Sequence, residues 1–417
     1  MSQRRRVVVS GLGVVAPSGI GKDTFWKNLV AGASAVGPIS LFDASPYPCR
    51  VGAEVSDFRP ELFMLPARAK HRGRFSQLAV AAAKLAVQDA DLNLKEMRAD
   101  RIRIAMGTSM SGIGDITEGA RLGFERAGFE GIPIISGLEF AAHAPVSHIS
   151  SELKIQGQAL TFGSACTTGL DAVQWASQQI ANGYADLALA GATDAPFAPL
   201  AYATLSALGI LTTYDGPPSK ASRPYDLNRD GMVLGEGAAV VVLEELDSAL
   251  TRGAPVYAEV LGFGHGNEGG YGPRTDTAER ALASGIRAAL SMAGLAPRDI
   301  DHINAHGNGL PDYDLVETRA FKEALGTHAY NVPVNSIKAA LGHAMGAASA
   351  LQVAASCLTI QHGVIPPTIN LDTPDPECDL DYVPHKSRSA RVRRLLINAH
   401  AMGGTHSVLI LGAPTDL

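Results

Sequence analysis

Phe162-Gly163-Ser164-Ala165-Cys166-Thr167-Thr168-Gly169 is the stretch on which the fold of this chain turns. An extended apolar run, residues 158–162, leads into it. A mostly apolar segment with helical spacing, residues 170–182, leads out of it. Cys166 is therefore expected in a tight turn between a strand and the first turn of a buried helix. Unpaired N–H groups and partial positive charge at a helix N-terminus favour a thiolate over a thiol. The small neighbours Gly163, Ser164 and Ala165 leave room for a substrate to approach the sulfur. Free cysteines are also often buried and inert, so this stretch alone leaves a core cysteine open.

Residues 186–191 read as a strand directly after the Cys166 helix. Strand, turn, helix, strand is a βαβ unit, which implies a buried, parallel sheet. Near residue 252 the pattern starts again. A strand is expected at 257–263, a helix at 278–293 and a strand at 301–305 that ends at His306. A strand at 334–338 then meets the turn Gly342-His343 and a small-residue helix at 346–360. A closing strand at 394–398 leads to Met402-Gly403-Gly404-Thr405 and a last strand at 408–411. The order around Cys166 is thus repeated, which divides the chain into two similar α/β halves, 1–250 and 251–417, whose turns face one site.

The remaining elements are simpler. Residues 5–9 read as a strand, and Gly11-Leu12-Gly13 as a structural turn, since Ala16 stands where a dinucleotide fingerprint needs its third glycine. Helices are expected at 24–31, 75–89 and 140–153, and strands at 103–108 and 238–243. His143 and His148 are five apart, not the i, i+4 pair of a helical metal site, and read as structural or pocket-lining.

Of the 417 residues, 46% are apolar and 18% charged, a globular composition with a large core. The net charge of −6 argues against nucleic-acid binding. Cys49, Cys166, Cys357 and Cys378 form no CxxC pair, so neither a disulfide framework nor a zinc site is expected, and a reducing cytoplasm is the expected setting. Arg4-Arg5-Arg6 before Val7-Val8-Val9 resembles a leader, but Ser10, Gly11, Gly13 and Pro17 interrupt it, and a first strand fits better. No stretch has the length and uniformity of a membrane span. The segment 344–360 carries Ser349, Gln352, Ser356 and Thr359 and reads as a buried helix. The cluster Arg68 to Arg74 is either a solvated helix start or a docking patch for an acidic partner.

Three elements end in reactive side chains beside glycine: Cys166, His306 and His343. A thiolate is a good acyl carrier, because a thioester forms readily and stays activated. Two neutral imidazoles can donate hydrogen bonds to a thioester carbonyl as it becomes an enolate. Lys338, in the same unit as His343, can set the local charge if buried. Glu317, early in the helix after His306, is placed to orient Lys338 or a histidine. Each also has a bland reading: a hydrogen-bonded structural histidine, a surface lysine, a helix-surface carboxylate. Their joint occurrence at element ends favours the functional one.

The motifs Ser164-Ala165-Cys166-Thr167-Thr168-Gly169, Asn304-Ala305-His306-Gly307 and Ser336-Ile337-Lys338-Ala339-Ala340-Leu341-Gly342-His343 resemble the three active-site motifs of β-ketoacyl-acyl-carrier-protein synthases. Arg223-Pro224-Tyr225-Asp226 through Gly235-Glu236-Gly237 resembles a fourth motif of that family. The resemblance runs from about Val7 to Leu411. It implies the thiolase fold, an α/β, duplicated, five-layered αβαβα architecture with two mixed, mainly parallel sheets. It also implies that Cys166 takes an acyl chain from a carrier protein, and that His306 and His343, with Lys338 and Glu317, support decarboxylation of malonyl-carrier protein. The resulting carbanion attacks the thioester. The N–H groups of Cys166 and Met402 would form the oxyanion hole, and Lys70, Arg72 and Arg74 would dock the acyl carrier protein. No cofactor of its own and no metal are implied, since phosphopantetheine arrives on the carrier. A dimer is implied, either a homodimer or a heterodimer with a chain-length-factor-like subunit.

Residues 190–199 resemble catalytic subunits of type II polyketide synthases more than those of fatty-acid synthesis. The chain departs from the family's Gly-Thr-x-Thr after His306, where it has Gly307-Asn308-Gly309-Leu310. It departs again in the C-terminal turn, where His400-Ala401-Met402-Gly403-Gly404-Thr405-His406 replaces a Phe-Gly-Phe-Gly-Gly-Thr-Asn pattern. Asn308, Leu310, Met402 and Ile113 are the expected pocket and phosphopantetheine contacts, and the Gly-rich loop 265–274 lacks the usual entrance residues. An unusual acyl chain is expected, with ordinary saturated fatty-acid elongation as the alternative. A carrier-protein acyltransferase and a non-condensing partner subunit are the readings of other classes.

Overall fold

The computed structural model describes residues 5–270 and 275–414, so residues 271–274 of the Gly-rich loop lie outside the described residues. Its spine is an eleven-stranded sheet, ten of whose strands follow one path. In chain order these are β1 (Val7–Ala16), β2 (Ile102–Gly107), β3 (Ala159–Phe162), β4 (Leu187–Asp194) and β5 (Gly237–Glu245), then β6 (Ala258–Asn267), β7 (His302–Asn304), β8 (Val334–Asn335), β9 (Arg394–Ala401) and β10 (Thr405–Gly412). From the middle outward, the first five are ordered β1-β5-β4-β2-β3 and the second five β6-β10-β9-β7-β8. The two orders are the same, so the repeat read from the sequence is a repeat of topology. The halves join edge to edge where β1 and β6 pair at Val8–Glu259 and Val9–Ala258.

Both halves are mixed, but parallel pairing is half of each, not most of it. In the first, β1–β5 and β5–β4 are antiparallel while β4–β2 and β2–β3 are parallel. In the second, β6–β10 and β10–β9 are antiparallel while β9–β7 and β7–β8 are parallel. The reason is that each half's last strand folds back between its first and fourth strands.

Five helices supply the layers: α1 (Arg74–Asp89), α2 (Thr168–Ala181), α3 (Thr275–Ala293), α4 (Pro311–Leu325) and α5 (Ala347–His362). The helix α1 covers the outer face of the first half, α3 packs with α4 against the second, and α2 and α5 pack on each other between them. Burial follows this arrangement. On β5, Ala239, Val241 and Leu243 join the central core, whereas Ala238, Val240 and Val242 join the core beneath α1. On β10, Leu409 and Leu411 face the centre and Val408 and Ile410 face α3 and α4. Strands covered on both faces read as continuous apolar runs. The layers are thus helix, sheet, helix, sheet, helix.

Three local expectations are corrected. Gly11-Leu12-Gly13 is not a turn, because β1 runs through it with one bulge between Val9 and Gly11. Its glycines serve close packing. A Cβ on Gly13 would stand 1.8 Å from the Ala82 carbonyl oxygen of α1, and one on Gly264 in β6 would stand 1.8 Å from the Gly285 oxygen of α3. The two halves thus use the same device, Gly-x-Gly, in their first strands. Next, β8 ends at Asn335, and Lys338 opens a short helix, Lys338–Leu341, instead of extending the strand. Finally, the helix expected at 140–153 spans Ala144–Leu153. His143 stands at its N-cap and His148 is hydrogen-bonded to Glu139, so both are outside the site described below.

Gly13→Ala and Gly264→Ala should each destabilise the fold by about 1–3 kcal/mol or more, because a methyl group overpacks a backbone-to-backbone contact. Thermal or urea unfolding checks this, and an unchanged midpoint in either variant would mean that the strand and helix part freely there.

Candidate active site

Four loops converge on one cavity, each following the carboxyl end of a strand. Cys166 follows β3, His306 follows β7, His343 follows β8 with its short helix, and Met402 follows β9. Together with Asn308, Leu310, Tyr313, His400, Met232 and Met345 they line one narrow cavity. About 10 Å³ of it is open to a water-sized sphere, the room of about one water molecule.

Cys166 is 5% exposed and sits in a tight turn, Ala165–Thr167, just before α2. Ala165 takes a left-handed φ of 54°, so the chain is bent sharply to present the sulfur. The turn is tied down on both sides. Thr168 donates to the Phe162 carbonyl at 2.7 Å, Thr167 donates to the Ser164 carbonyl at 2.8 Å, and Ser164 donates to Asp171. Gly169 lets α2 meet α5 backbone to backbone, since a Cβ there would stand 2.5 Å from the Ala350 nitrogen.

The His306 loop is held by Glu317, which is fully buried in α4. Its carboxylate accepts the N–H of His306 at 2.7 Å and of Gly307 at 2.9 Å, the Tyr225 hydroxyl at 2.5 Å, and the Asn398 amide at 2.5 Å. Of its two expected partners, Lys338 or a histidine, Glu317 hydrogen-bonds the histidine's loop, through the His306 and Gly307 backbone and not through a ring. It lies in the second turn of α4, where its carboxylate faces the two N–H groups. Lys338 donates to the His306 carbonyl at 2.5 Å and to Gln352 at 3.3 Å. The fourth motif braces the site from below. Tyr225 reaches Glu317, and His343 pairs its backbone with Val233 and Gly235. His343 Nδ1 accepts the Met345 N–H at 3.0 Å, so the neutral ring carries its proton on Nε2 as a donor. The rings of His306 and His343 stand edge to face at 5.1 Å.

Burial sets the protonation states. It pushes the Cys166 thiol up to about 12, and the nearby Lys338 ammonium only partly opposes this. The thiolate expected from the helix N-terminus is therefore not the resting state at neutral pH. Burial lowers Lys338 to about 8, against the pull of Glu317. It also holds His306 and His343 well below the usual histidine value, so both are neutral. Asp194, raised to about 6 by burial, accepts from Thr108, Ser109, Met110 and Gly346, and so joins the first half to the turn before α5.

Asn308, Leu310 and Met402 line the cavity as expected. Ile113 does not: it is 38% exposed, in a short turn outside the cavity. Of the docking residues, Arg72 is buried against Glu152 at 2.9 Å and Arg74 grips Glu236 at 2.7 Å, so their guanidinium groups are committed to ion pairs within the fold. Lys70 alone of the three is exposed. Sequence reading assigned no role to His400, Tyr313, Met232 or Met345. For His400 the signal was the departure from the Phe-Gly-Phe pattern, and for Met232 its place within the fourth motif. Tyr313 and Met345 carried none. Among the described residues, no group of three or more His, Cys, Asp or Glu is arranged to hold a metal, and no helix is long and apolar enough to cross a membrane.

The chain is similar to known proteins along most of its length. Residues 4–249 match the family described as Beta-ketoacyl synthase, N-terminal domain, and residues 257–372 match Beta-ketoacyl synthase, C-terminal domain. The chain is 42% identical to the tetracenomycin polyketide synthase ketoacyl synthase alpha subunit of Streptomyces glaucescens, over 99% of this chain and 98% of that protein. It is 39% identical to 3-oxoacyl-[acyl-carrier-protein] synthase 2 of Coxiella burnetii, over 99% and 100%. It superposes with a TM-score of 0.91 and 32% identity on the structure of a type II polyketide synthase acyl-carrier protein in complex with its ketosynthase bound to the hexaketide, covering 99% of this chain and 100% of that one.

The buried thiol makes a pH prediction. Below pH 8, alkylation of Cys166 by iodoacetamide should rise close to tenfold per pH unit, because only the small thiolate fraction reacts. Above about pH 8, Lys338 loses its charge and its help to the thiolate, so the slope should flatten. Lys338→Met should slow alkylation at neutral pH and remove the break. Stopped alkylation followed by peptide mass spectrometry reads this, and a plateau already reached by pH 7 would contradict the buried-thiol reading.

Proposed function

The chain belongs to the β-ketoacyl synthase family, and from that premise we propose that it extends chains in type II polyketide elongation by decarboxylative Claisen condensation, with Cys166, His306, His343 and Lys338 as the chemical set. The observation that carries this reading is the convergence of Cys166, His306 and His343 on one water-poor cavity, with Lys338 buried behind it. The acyl thioester of a carrier protein exchanges onto Cys166, and the thiol proton leaves with the carrier's thiol. A malonyl-carrier thioester then enters, and its carboxylate leaves as carbon dioxide. His343, with its proton on Nε2, and His306 are the groups suited to stabilise the enolate oxygen. The enolate carbon attacks the thioester on Cys166, and the Cys166 and Met402 N–H groups are the proposed donors to the tetrahedral oxyanion. Collapse releases the 3-oxoacyl-carrier product and the Cys166 thiolate, which takes up a proton. The dry cavity suits a carbanion, which water would quench. Glu317 has a positioning role in this scheme, through the backbone of His306 and Gly307.

The strand order β1-β5-β4-β2-β3, repeated as β6-β10-β9-β7-β8, supports treating 1–250 and 251–417 as two halves of one ancestral design. The partner that fits is an acyl carrier protein, the kind of partner named in a relative's complex, and phosphopantetheine would arrive on it. Asn308 and Leu310 line the way in for its arm, and Lys70 is the exposed cation left for docking. The alpha-subunit description of the Streptomyces relative supports a heterodimer with a chain-length-factor-like subunit over a homodimer. The relative from Coxiella supports fatty-acid elongation as the second reading.

Intact-protein mass spectrometry after incubation with acyl-carrier protein, then malonyl-carrier protein, tests the scheme. Wild type should gain the acyl mass and discharge it to a product two carbons longer with loss of carbon dioxide, while Cys166→Ala gains nothing. His343→Ala should acylate yet extend at least about a hundredfold more slowly, the scale of a lost oxyanion donor. Acylation of wild type without any extension would instead favour a transferase.

A further inference from the structure

His400 is the penultimate residue of β9, register-paired with His406 of β10, and its side chain lines the cavity that holds the Cys166 sulfur. It is 2% exposed, and neither Nδ1 nor Nε2 has a hydrogen-bond partner in the protein. Its neighbours do not serve. The His306 ring lies 4.1 Å away centre to centre and tilted, and the Tyr313 ring stands edge-on at 5.1 Å. His406 stands edge-on at 5.8 Å, with its Nε2 already engaged by Glu268. Glu317 has four donors and Lys338 has two acceptors, and the buried His306 and His406 rings each have one ring nitrogen, Nδ1, buried without a partner, whereas His400 has both. A buried imidazole with both nitrogens unmet is costly, whereas an apolar ring at the same place would cost nothing of the kind.

We propose that His400 is a specificity-determining residue whose imidazole hydrogen-bonds an oxygen carried on the acyl chain close to its thioester, so that the site prefers 3-oxygenated chains over saturated ones. The proposal rests on the reading that the acyl chain is held at Cys166. Because His400 shares a cavity with the sulfur that has room for about one water molecule, the chain atoms it can meet are those within a few bonds of the thioester carbon. In a saturated chain those atoms are methylenes, which leave the imidazole unmet. In a 3-oxoacyl chain the carbonyl or enol oxygen supplies the missing partner. Besides Met232, Met345, Leu310 and Met402 the lining carries His306, His343, Asn308 and Tyr313; the proposed scheme assigns the first two to the extender's thioester oxygen, and His400 is the ring whose two nitrogens are both buried and unmet.

Titration calorimetry with unreactive pantetheine amides tests this without depending on transfer to Cys166. Hexanoyl, 3-oxohexanoyl and malonyl amides are compared on wild type, His400→Phe and His400→Gln, each shown folded by circular dichroism. Wild type should bind the 3-oxohexanoyl amide roughly tenfold or more tightly than the hexanoyl one, the worth of about one hydrogen bond. His400→Phe should bring the two to parity by weakening the 3-oxo ligand and not the saturated one, and His400→Gln should restore part of the preference. Parity already in wild type, or a preference that survives His400→Phe, overturns the proposal. A loss confined to the malonyl amide also overturns it, since the imidazole would then serve the extender unit. If His400→Phe does not fold, the wild-type preference and its retention or loss in His400→Gln, whose amide both donates and accepts, still decide. Failure of the condensation reading would show separately, as wild type that carries no acyl mass at Cys166.

Discussion

Two N–H groups of one loop and one buried carboxylate hold this site together. Glu317 receives the backbone of His306 and Gly307, the hydroxyl of Tyr225 and the amide of Asn398. Those partners come from the loop after β7, the fourth motif and β9. A carboxylate that accepts several hydrogen bonds tolerates burial, because each bond replaces one lost to water. Lys338, donating to the carbonyl of the same His306, ties the β8 loop to the same point. His306 is thus aimed by main-chain contacts on either side of it, and His343 by the Met345 N–H on its Nδ1, which leaves its Nε2 free for substrate.

The duplicated sheet is what allows loops so far apart in sequence to meet. The halves share one strand order, and α2 and α5, which follow their third strands, pack against each other in the central layer. Cys166 and the histidines therefore arrive from opposite halves onto one cavity. That packing needs close backbones. Gly169 at the α2–α5 crossing, and the Gly-x-Gly of β1 and β6 beneath the outer helices, provide them. Asp194 adds an electrostatic tie, carrying the first half's loop and the turn before α5 on one carboxylate.

Dryness has opposite effects on the groups it encloses. It neutralises both histidines, which suits donors that must not be charged before the enolate forms, and it brings Lys338 near the working pH range. It also holds Cys166 as a thiol, against the helix N-terminus and the lysine. On the proposed mechanism the resting enzyme stores its nucleophile protonated, and forming the thiolate becomes part of the transfer of the acyl chain. His400 shares the same burial without any protein partner. The neighbouring His306 and His406 rings each have only Nδ1 buried and unmet, whereas His400 has both nitrogens so.

Much was legible from sequence because strands, turns and buried helices leave strong local marks. The turn at Cys166, the small-residue helix after His343 and the second appearance of the same order were readable from apolar spacing and glycine. The chemical set followed from reactive residues at element ends and from motif resemblance. What composition and spacing could not reveal were relations across the fold. Gly11 and Gly13 looked like a turn because only the third dimension brings Ala82 and Ala86 against them. Arg72 and Arg74 looked like free cations because Glu152 and Glu236 are distant in sequence. Ile113 looked like pocket lining, and nothing local showed that Glu317 would hold His306 by its backbone. The sequence by itself determined which elements form, their repeated order and which residues could react. The tertiary structure decided which charges are already spent, which groups are dry and which ring is left without a partner, because those depend on neighbours that no local pattern encodes.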